Sequence, residues 1–417
     1  MTKYWHPFAD MRAITRGTEL VLDRADGYYV YDTDGRRYLD ATASLWYCNV
    51  GHGRTEIARA AFEQMQQLEA YSTFGDLTNP PVMALTDRLA QIAPVPGSVS
   101  FLTSGGSDSV DTAVKLARLY HKVKGEPQRT YILSRFRAYH GMHTAGTSVA
   151  GIQANLDGYG RLMSDTRVVG WDSHDDLFET LEELGPENVA AFVCEPVIGA
   201  GGVLAPPPGY LEKVRSICRD TGVLFISDEV ITGFGRTGAW FASERWNLEP
   251  DLLTCAKGIT SGYLPLGAVL VSPWIAEPWF EGGAGMWRHG YTYSGHATVA
   301  AAANANLDIM EREGLVRAAV GLEAALATGL TPLSDHPLVS EVRAGAGAMA
   351  AVQFDLDAVE DDPGLPDRIV PALRDHGILT RILFGHAIQV SPPLTLDDAG
   401  VQELAEGIRG ALDAVGS

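Results

Sequence analysis

Between about residues 99 and 303 the chain alternates short apolar runs with amphipathic ones. Six of the apolar runs read as strands, at 99–103, 131–134, 189–194, 223–227, 252–255 and 266–271. They are rich in Val, Ile, Leu and Phe and lack clean polar alternation. Such runs suit strands buried on both faces, as in a parallel sheet covered by helices. Between them, residues 108–124 place Val110, Ala113, Val114, Ala117 and Tyr120 on one helical stripe. Residues 210–220 form another, and Gly222 stands where a glycine commonly ends a helix. Strand–helix alternation over this length predicts an open α/β sheet.

The pattern then changes. An Ala-rich helix over 298–312 leads to strand-like material at 339–354, a helix around 367–376, a strand-like stretch at 388–391 and a final helix from Asp397. A small α+β domain is expected there, joined by an N-terminal hairpin over 28–40. The expected organisation is residues 1–55 as the N-terminal part of the small domain, 56–304 as the large domain and 305–417 as the rest of the small one. No internal repeat, low-complexity stretch or free linker interrupts it.

Composition excludes some functions. A net charge of −20 argues against nucleic acid as a partner, because phosphate backbones demand a basic face. Cys48, Cys194, Cys218 and Cys255 are far apart and form no C-x-x-C pair, so they read as reduced core thiols. The first eight residues lack the apolar stretch of a signal peptide, and no apolar run approaches a membrane span. A cytoplasmic protein with no membrane partner is expected.

Four local features carry possible chemistry, and each also has a dull explanation. Thr103-Ser104-Gly105-Gly106-Ser107-Asp108 joins a buried strand to an amphipathic helix. Glycines allow close backbone approach, and the helix's free N–H groups favour an anion such as phosphate, with Ser107 as a further donor. A simple capped turn would look similar. Phe225-Ile226-Ser227-Asp228-Glu229-Val230 puts two acids at the end of an apolar strand. There a carboxylate is costly unless something cationic meets it, and in open α/β sheets that edge is where ligands bind. Asp228 could hold a pyridinium nitrogen protonated; the acids could equally cap a loop or pair with Arg236.

Leu252-Leu253-Thr254-Cys255-Ala256-Lys257-Gly258 closes another apolar strand on a lysine. A partly buried lysine has a lowered pKa, which makes its amine a nucleophile for carbonyls; a lone lysine more often reaches to solvent. Tyr139-His140-Gly141 follows the strand at 131–134, where an aromatic could stack on a flat ring or simply fill a turn. One decoy competes. Gly233-Phe234-Gly235-Arg236-Thr237-Gly238 matches the dinucleotide pattern G-x-G-x-x-G, but the preceding strand ends in acids where a pyrophosphate would have to approach. No P-loop or H-E-x-x-H motif is present, His140-x-x-His143 reads as structural, and no metal site is expected.

Five ordered segments carry a resemblance that runs nearly end to end. They are Thr112-Ala113-Val114-Lys115-Leu116-Ala117-Arg118; Glu195-Pro196-Val197-Ile198-Gly199-Ala200-Gly201-Gly202; Asp228-Glu229-Val230-Ile231-Thr232 with the Gly233–238 loop; Ala256-Lys257-Gly258-Ile259-Thr260-Ser261-Gly262-Tyr263; and His289-Gly290-Tyr291-Thr292-Tyr293-Ser294-Gly295-His296. Together they resemble the class III, fold-type I aminotransferases, which work with pyridoxal 5'-phosphate (PLP). Leu45-Trp46-Tyr47-Cys48-Asn49-Val50-Gly51-His52-Gly53 is similar to the ω-amino acid–pyruvate branch.

The resemblance implies roles. Lys257 would hold PLP as a Schiff base and shuttle protons, and Asp228 would pair with the pyridine nitrogen. Tyr139 and Val230 would sandwich the ring, while Gly106 and Ser107 would hold the phosphate, helped by Thr292 of a partner subunit in a homodimer. Glu195 would belong to the polar surround, and Trp46 would shape the substrate pocket. The implied reaction moves an amino group from an amine or ω-amino acid to an oxo acid, with pyruvate favoured.

Some positions depart from the family pattern. The phosphate loop reads Ser-Gly-Gly-Ser-Asp where relatives usually have Asn-Ser-Gly-Ser-Glu, so backbone donors must do more. Ala200 stands where relatives using 2-oxoglutarate often carry Glu, which favours pyruvate. Arg381 is the nearby candidate for binding a substrate carboxylate, but it lies four residues before Gly385 where relatives have three. Two other activities of the same fold stay open at this point. Trp5-His6-Pro7-Phe8 is similar to diaminopelargonic acid aminotransferases, and a PLP aminomutase or decarboxylase would share Lys257 and Asp228.

Overall fold

The computed structural model describes residues 2–416. All six expected strands join one sheet, in the order Val99–Thr103, Gly267–Val271, Leu252–Cys255, Leu224–Asp228, Val189–Cys194, Tyr131–Arg135 and Thr166–Val169. The last of these was not expected. It pairs in parallel at the open edge, where Arg167 and Val168 are exposed, so no continuous apolar run marks it.

The neighbours from Leu252–Cys255 to Thr166–Val169 pair in parallel. Gly267–Val271 is reversed and runs antiparallel to both of its neighbours. The connection 256–266 explains this, because it holds no crossover helix that could return the chain in parallel. The sheet is therefore mostly parallel, and its central strands are buried along their whole length.

Helices cover it as the periodicity predicts. Gly106–Val123 buries Val110, Ala113, Val114 and Ala117. Tyr210–Thr221 buries Leu211, Val214, Ile217 and Cys218 and closes at Gly222.

Two smaller sheets follow from the chain ends. Leu22–Asp26, Tyr29–Asp32 and Arg37–Asp40 form an antiparallel meander, and Ile378–Leu379 adds to it in parallel beside Arg37–Asp40. N- and C-terminal segments thus share one sheet. The stretch at 339–354 is two strands rather than one: Val339–Arg343 and Ala350–Phe354 pair antiparallel around a glycine-rich turn. Ala387–Val390 and Ile382–Leu383 complete that sheet. Helices Ala297–Arg312, Leu315–Leu330, Leu365–Asp375 and Asp398–Gly416 pack around it and the large sheet.

The four cysteines are free and buried. Among the described residues no single helix is long and apolar enough to cross a membrane. Strands Val99–Thr103, Tyr131–Arg135, Val189–Cys194, Leu224–Asp228 and Leu252–Cys255 all end at one edge of the large sheet, and the chemistry-bearing residues sit in or just after those ends.

Candidate active site

Asp228 is the last residue of its strand and is buried. Its Oδ2 lies 2.7 Å from Nδ1 of His140, and its Oδ1 accepts from the Thr254 hydroxyl at 3.0 Å and the Val230 amide at 3.2 Å. Thr254 reaches it because the two residues are register partners on adjacent strands. Neither His140 nor Thr254 was singled out from the sequence as a site residue. Position on the neighbouring strand was the available signal for Thr254, whereas His140 read as part of an ordinary Tyr-His turn.

Lys257 follows the next strand on a tight turn, with its backbone in the left-handed region at φ 45°. A non-glycine residue there costs on the order of 1–3 kcal/mol and persists only when its surroundings force it. Asn306 helps to force it, donating to the Gly258 and Ile259 carbonyls at 2.9 and 3.1 Å. Burial pulls the Lys257 ammonium down from 10.5 to about 8, with Arg381 adding to the effect and Asp228 and Glu195 opposing it. These four charged groups therefore converge on one space. Among the described residues, no hydrogen bond or ion pair joins Lys257 to either carboxylate.

Glu195 lies just after Val189–Cys194 and is buried, accepting from the backbone N–H of Tyr139 at 3.0 Å and of Gly199 at 3.1 Å. Burial raises its carboxyl pKa. Tyr139 is partly buried, and its phenol is also pushed up by burial, with Arg381, Asp228 and Glu195 within electrostatic reach.

Gly106 opens the helix after the first strand, and Gly105 caps that helix with no side chain, so its leading N–H groups are free. Val230 packs so closely that a Cβ on Gly106 would lie 2.9 Å from its Cγ1. Ser107 Oγ accepts from the Met142 amide at 3.1 Å; Gly141, at φ 90°, leaves room where a Cβ would come within 2.5 Å of that oxygen.

Arg381 is exposed at the mouth, its Nε donating to Gln389 Oε1 at 2.7 Å. Among the described residues the forked end of its guanidinium has no hydrogen-bond partner, and it lies within electrostatic reach of Lys257 and Tyr139. Trp46 lies deeper. It is only 1 % exposed, in an apolar cluster with Val197, Ile231, Met349 and Leu383, and its indole N–H has no partner. Thr292 stands apart: it is exposed, and neither Gly106 nor Ser107 of its own chain hydrogen-bonds to it.

Two other sequence features resolve differently from the chemistry. Arg236 does not pair with the strand-end acids. Its fully buried guanidinium donates to the carbonyls of Ala348 and Pro392 and to Asn49 Oδ1, at 2.9, 2.6 and 2.7 Å. The Gly233–238 loop is thus tied to the body of the fold. Glu229 is held by the Thr232 and Ser243 hydroxyls and the amides of Ala242 and Ser243. His140 and His143 address separate carboxylates, those of Asp228 and Asp108.

The donor set fits a flat phosphorylated carbonyl compound with a ring nitrogen. A helix start and a hydroxyl suit the phosphate, a fixed buried carboxylate suits the nitrogen, and an unpaired amine of lowered pKa suits the carbonyl.

Comparison with known proteins agrees. The family model for aminotransferase class-III matches residues 13–412. A putrescine–pyruvate aminotransferase from Pseudomonas aeruginosa is 37 % identical, the match covering 98 % of this chain and 93 % of that protein. Among solved structures, a thermostable (S)-enantioselective ω-transaminase from Thermomicrobium roseum superposes with TM-score 0.94 at 40 % identity, over 98 % of this chain and 96 % of the other. An amine transaminase from an uncultivated Pseudomonas species, solved in its PLP-bound form, gives TM-score 0.94 at 38 % identity over 99 % of both chains. This chain belongs to the class III aminotransferases, enzymes that work with pyridoxal phosphate.

Proposed function

We propose that the protein is an ω-transaminase that moves an amino group from a primary amine or ω-amino acid to an oxo acid, with pyruvate as the acceptor. The observation that carries this is an unpaired lysine amine, lowered to about 8, sharing a space with the fixed Asp228 carboxylate. PLP, when bound, supplies the electron sink for charge developing at the donor carbon.

The protein's own groups do the rest. Asp228 would accept from a ring N–H and so keep that nitrogen protonated. Lys257, neutral above about pH 8, would be the group that moves the proton of the donor carbon. The first turn of the helix with Gly106 and Ser107 would hold the phosphate. Tyr139 and Val230 would close on the two faces of the ring, and Glu195 holds the Tyr139 backbone in place.

Arg381 receives the carboxylate of the oxo acid. Trp46 backs the wall that limits the donor. Thr292 serves the phosphate of a second copy, which makes the working unit a cytoplasmic homodimer with shared sites, residues 56–304 forming its cofactor-binding domain. The small Ala200 supports pyruvate as acceptor, as does the likeness to a putrescine–pyruvate aminotransferase.

The test is a panel of amines and ω-amino acids with pyruvate, read as alanine formed. Alanine from simple amines is expected, with no reaction when the oxo acid is omitted. Use of S-adenosylmethionine as the preferred donor would instead mark a diaminopelargonic acid aminotransferase. Turnover without any oxo acid would mark an aminomutase or decarboxylase.

A further inference from the structure

One hydrogen-bonded chain outside the groups used above links the phosphate-binding helix to the segment that carries Thr292. The Lys115 ammonium lies 2.9 Å from Nδ1 of His289, so Nδ1 accepts and the ring proton sits on Nε2. Nε2 donates to the Thr112 hydroxyl at 2.9 Å. Thr112 in turn lies 3.2 Å from the Tyr291 hydroxyl, which donates to the Asp108 carbonyl at 3.1 Å. Lys115, Thr112 and Asp108 all belong to helix Gly106–Val123, whose first turn holds Gly106 and Ser107.

The segment is gripped elsewhere too. His289 stacks against both Phe101 and Trp287, with ring centroids 5.3 and 4.8 Å away, and those two rings also meet each other at 5.1 Å. Ser294 Oγ donates to the Leu102 carbonyl at 2.8 Å, and the Ser294 carbonyl accepts from Thr73 at 2.7 Å. Burial and the neighbouring Lys115 pull the His289 pKa down to about 4, so the ring stays neutral and keeps the tautomer that the chain needs. Thr292, by contrast, is exposed, while Tyr291 before it and Ser294 two residues after it are held. A rigid arm ending in a free hydroxyl is a preorganised donor.

We infer that His289 is a positioning residue: with Lys115, Thr112 and Tyr291 it latches residues 287–294 to the phosphate-binding helix and so fixes Thr292 for the cofactor phosphate of a second copy. This rests on the shared-site function proposed above. The latch also couples the two sites, because the helix that grips one phosphate sets the arm that reaches the other.

The experiment compares PLP release from purified holoenzyme of wild type, Thr292→Ala, His289→Phe and the double variant, by dialysis and visible absorbance, with sedimentation for the dimer. His289→Phe keeps the ring stack and loses both hydrogen bonds. It should weaken PLP retention about tenfold, the scale of one lost charge-assisted hydrogen bond. Thr292→Ala should weaken it similarly, and the double variant no further than Thr292→Ala alone, because latch and hydroxyl act through one contact.

Retention unchanged in Thr292→Ala, with an intact dimer, removes the shared-site function and the latch with it. Weakened Thr292→Ala beside normal His289→Phe, or strictly additive losses, overturns the latch alone. Should His289→Phe fail to fold, Lys115→Met breaks the same chain from the exposed end and must show the same non-additivity.

Discussion

Nδ1 of His140 and Oδ2 of Asp228 lie 2.7 Å apart, both side chains shut away from solvent. Asp228 also accepts from Thr254 and Val230, so three donors occupy a group with roughly four acceptor sites. One site is left for a ring N–H. Replacing Asp228 by Asn keeps the size and removes the charge. We expect kcat to fall about a hundredfold or more, on the scale of losing one preorganised electrostatic contact, while PLP stays bound. Steady-state kinetics at matched cofactor content check this, and a normal rate would show that the ring needs no such partner. His140→Phe should give a smaller loss in the same direction, because it loosens the carboxylate without discharging it.

Lys257→Ala removes the amine that the carbonyl of PLP would meet. Turnover should vanish, and visible absorbance from covalently held cofactor should vanish with it. Retained alanine formation in that variant would end the proposed function.

The lowered pKa of Lys257 gives a pH prediction for the cofactor-free protein. Only the neutral amine attacks a carbonyl, so the rate of PLP capture should climb with pH and level off above about 8. Stability follows the same shift with a definite sign. The folded pKa lies below the unfolded 10.5, so the unfolded chain binds the proton more readily between about 8 and 10.5. The cofactor-free protein should therefore gain stability as pH rises through that window and carry the full penalty below it. Lys257→Met should be more stable than wild type by about 1–3 kcal/mol near pH 7, the gap closing towards pH 10.5. Denaturant unfolding at several pH values measures it.

These predictions draw on features of unequal visibility in the sequence. The strands ending in Asp228 and near Lys257 were legible because central parallel strands are apolar along their length, and an ionisable residue at their end stands out. Thr166–Val169 was invisible for the opposite reason, as an exposed edge strand needs no apolar run. The reversal of Gly267–Val271 depends on the missing crossover, which hydrophobicity does not report. His140 and Thr254 escaped notice because their importance lies in a third residue, Asp228, remote from His140 in sequence and brought close only by strand order. Arg236 carries the converse lesson, since its nearest acids along the chain are not its partners.

Arg381 sits at the mouth with Nε engaged by Gln389, which orients the fork without satisfying it. Arg381→Gln should raise KM for pyruvate about 10- to 100-fold, the range for a lost hydrogen bond to a charged group. KM for an uncharged amine donor should stay near wild type. Equal effects on both substrates would mean that the side chain shapes the entrance rather than binding a carboxylate.

Arg236 makes the sharpest stability case, because it is charged, fully buried and has no acid in contact. Burial lowers its pKa to about 10, with Cys48 and Asp40 opposing, so it stays protonated at neutral pH. Its fork joins three separate pieces of chain, through the carbonyls of Ala348 and Pro392 and the amide oxygen of Asn49. Arg236→Met fills the same space but leaves those three acceptors facing nothing, at about 1–3 kcal/mol for each group left unsatisfied. Arg236→Lys should rescue little, since one ammonium cannot reproduce a planar fork. Asn49→Ala on top of Arg236→Met should cost less than it does alone, because the Nη2 contact is already gone and only the Asn49 Nδ2 bond to the Phe234 carbonyl remains to lose. Denaturant midpoints of the four proteins measure the cycle, and strictly additive losses would show that Arg236 and Asn49 stabilise the fold independently.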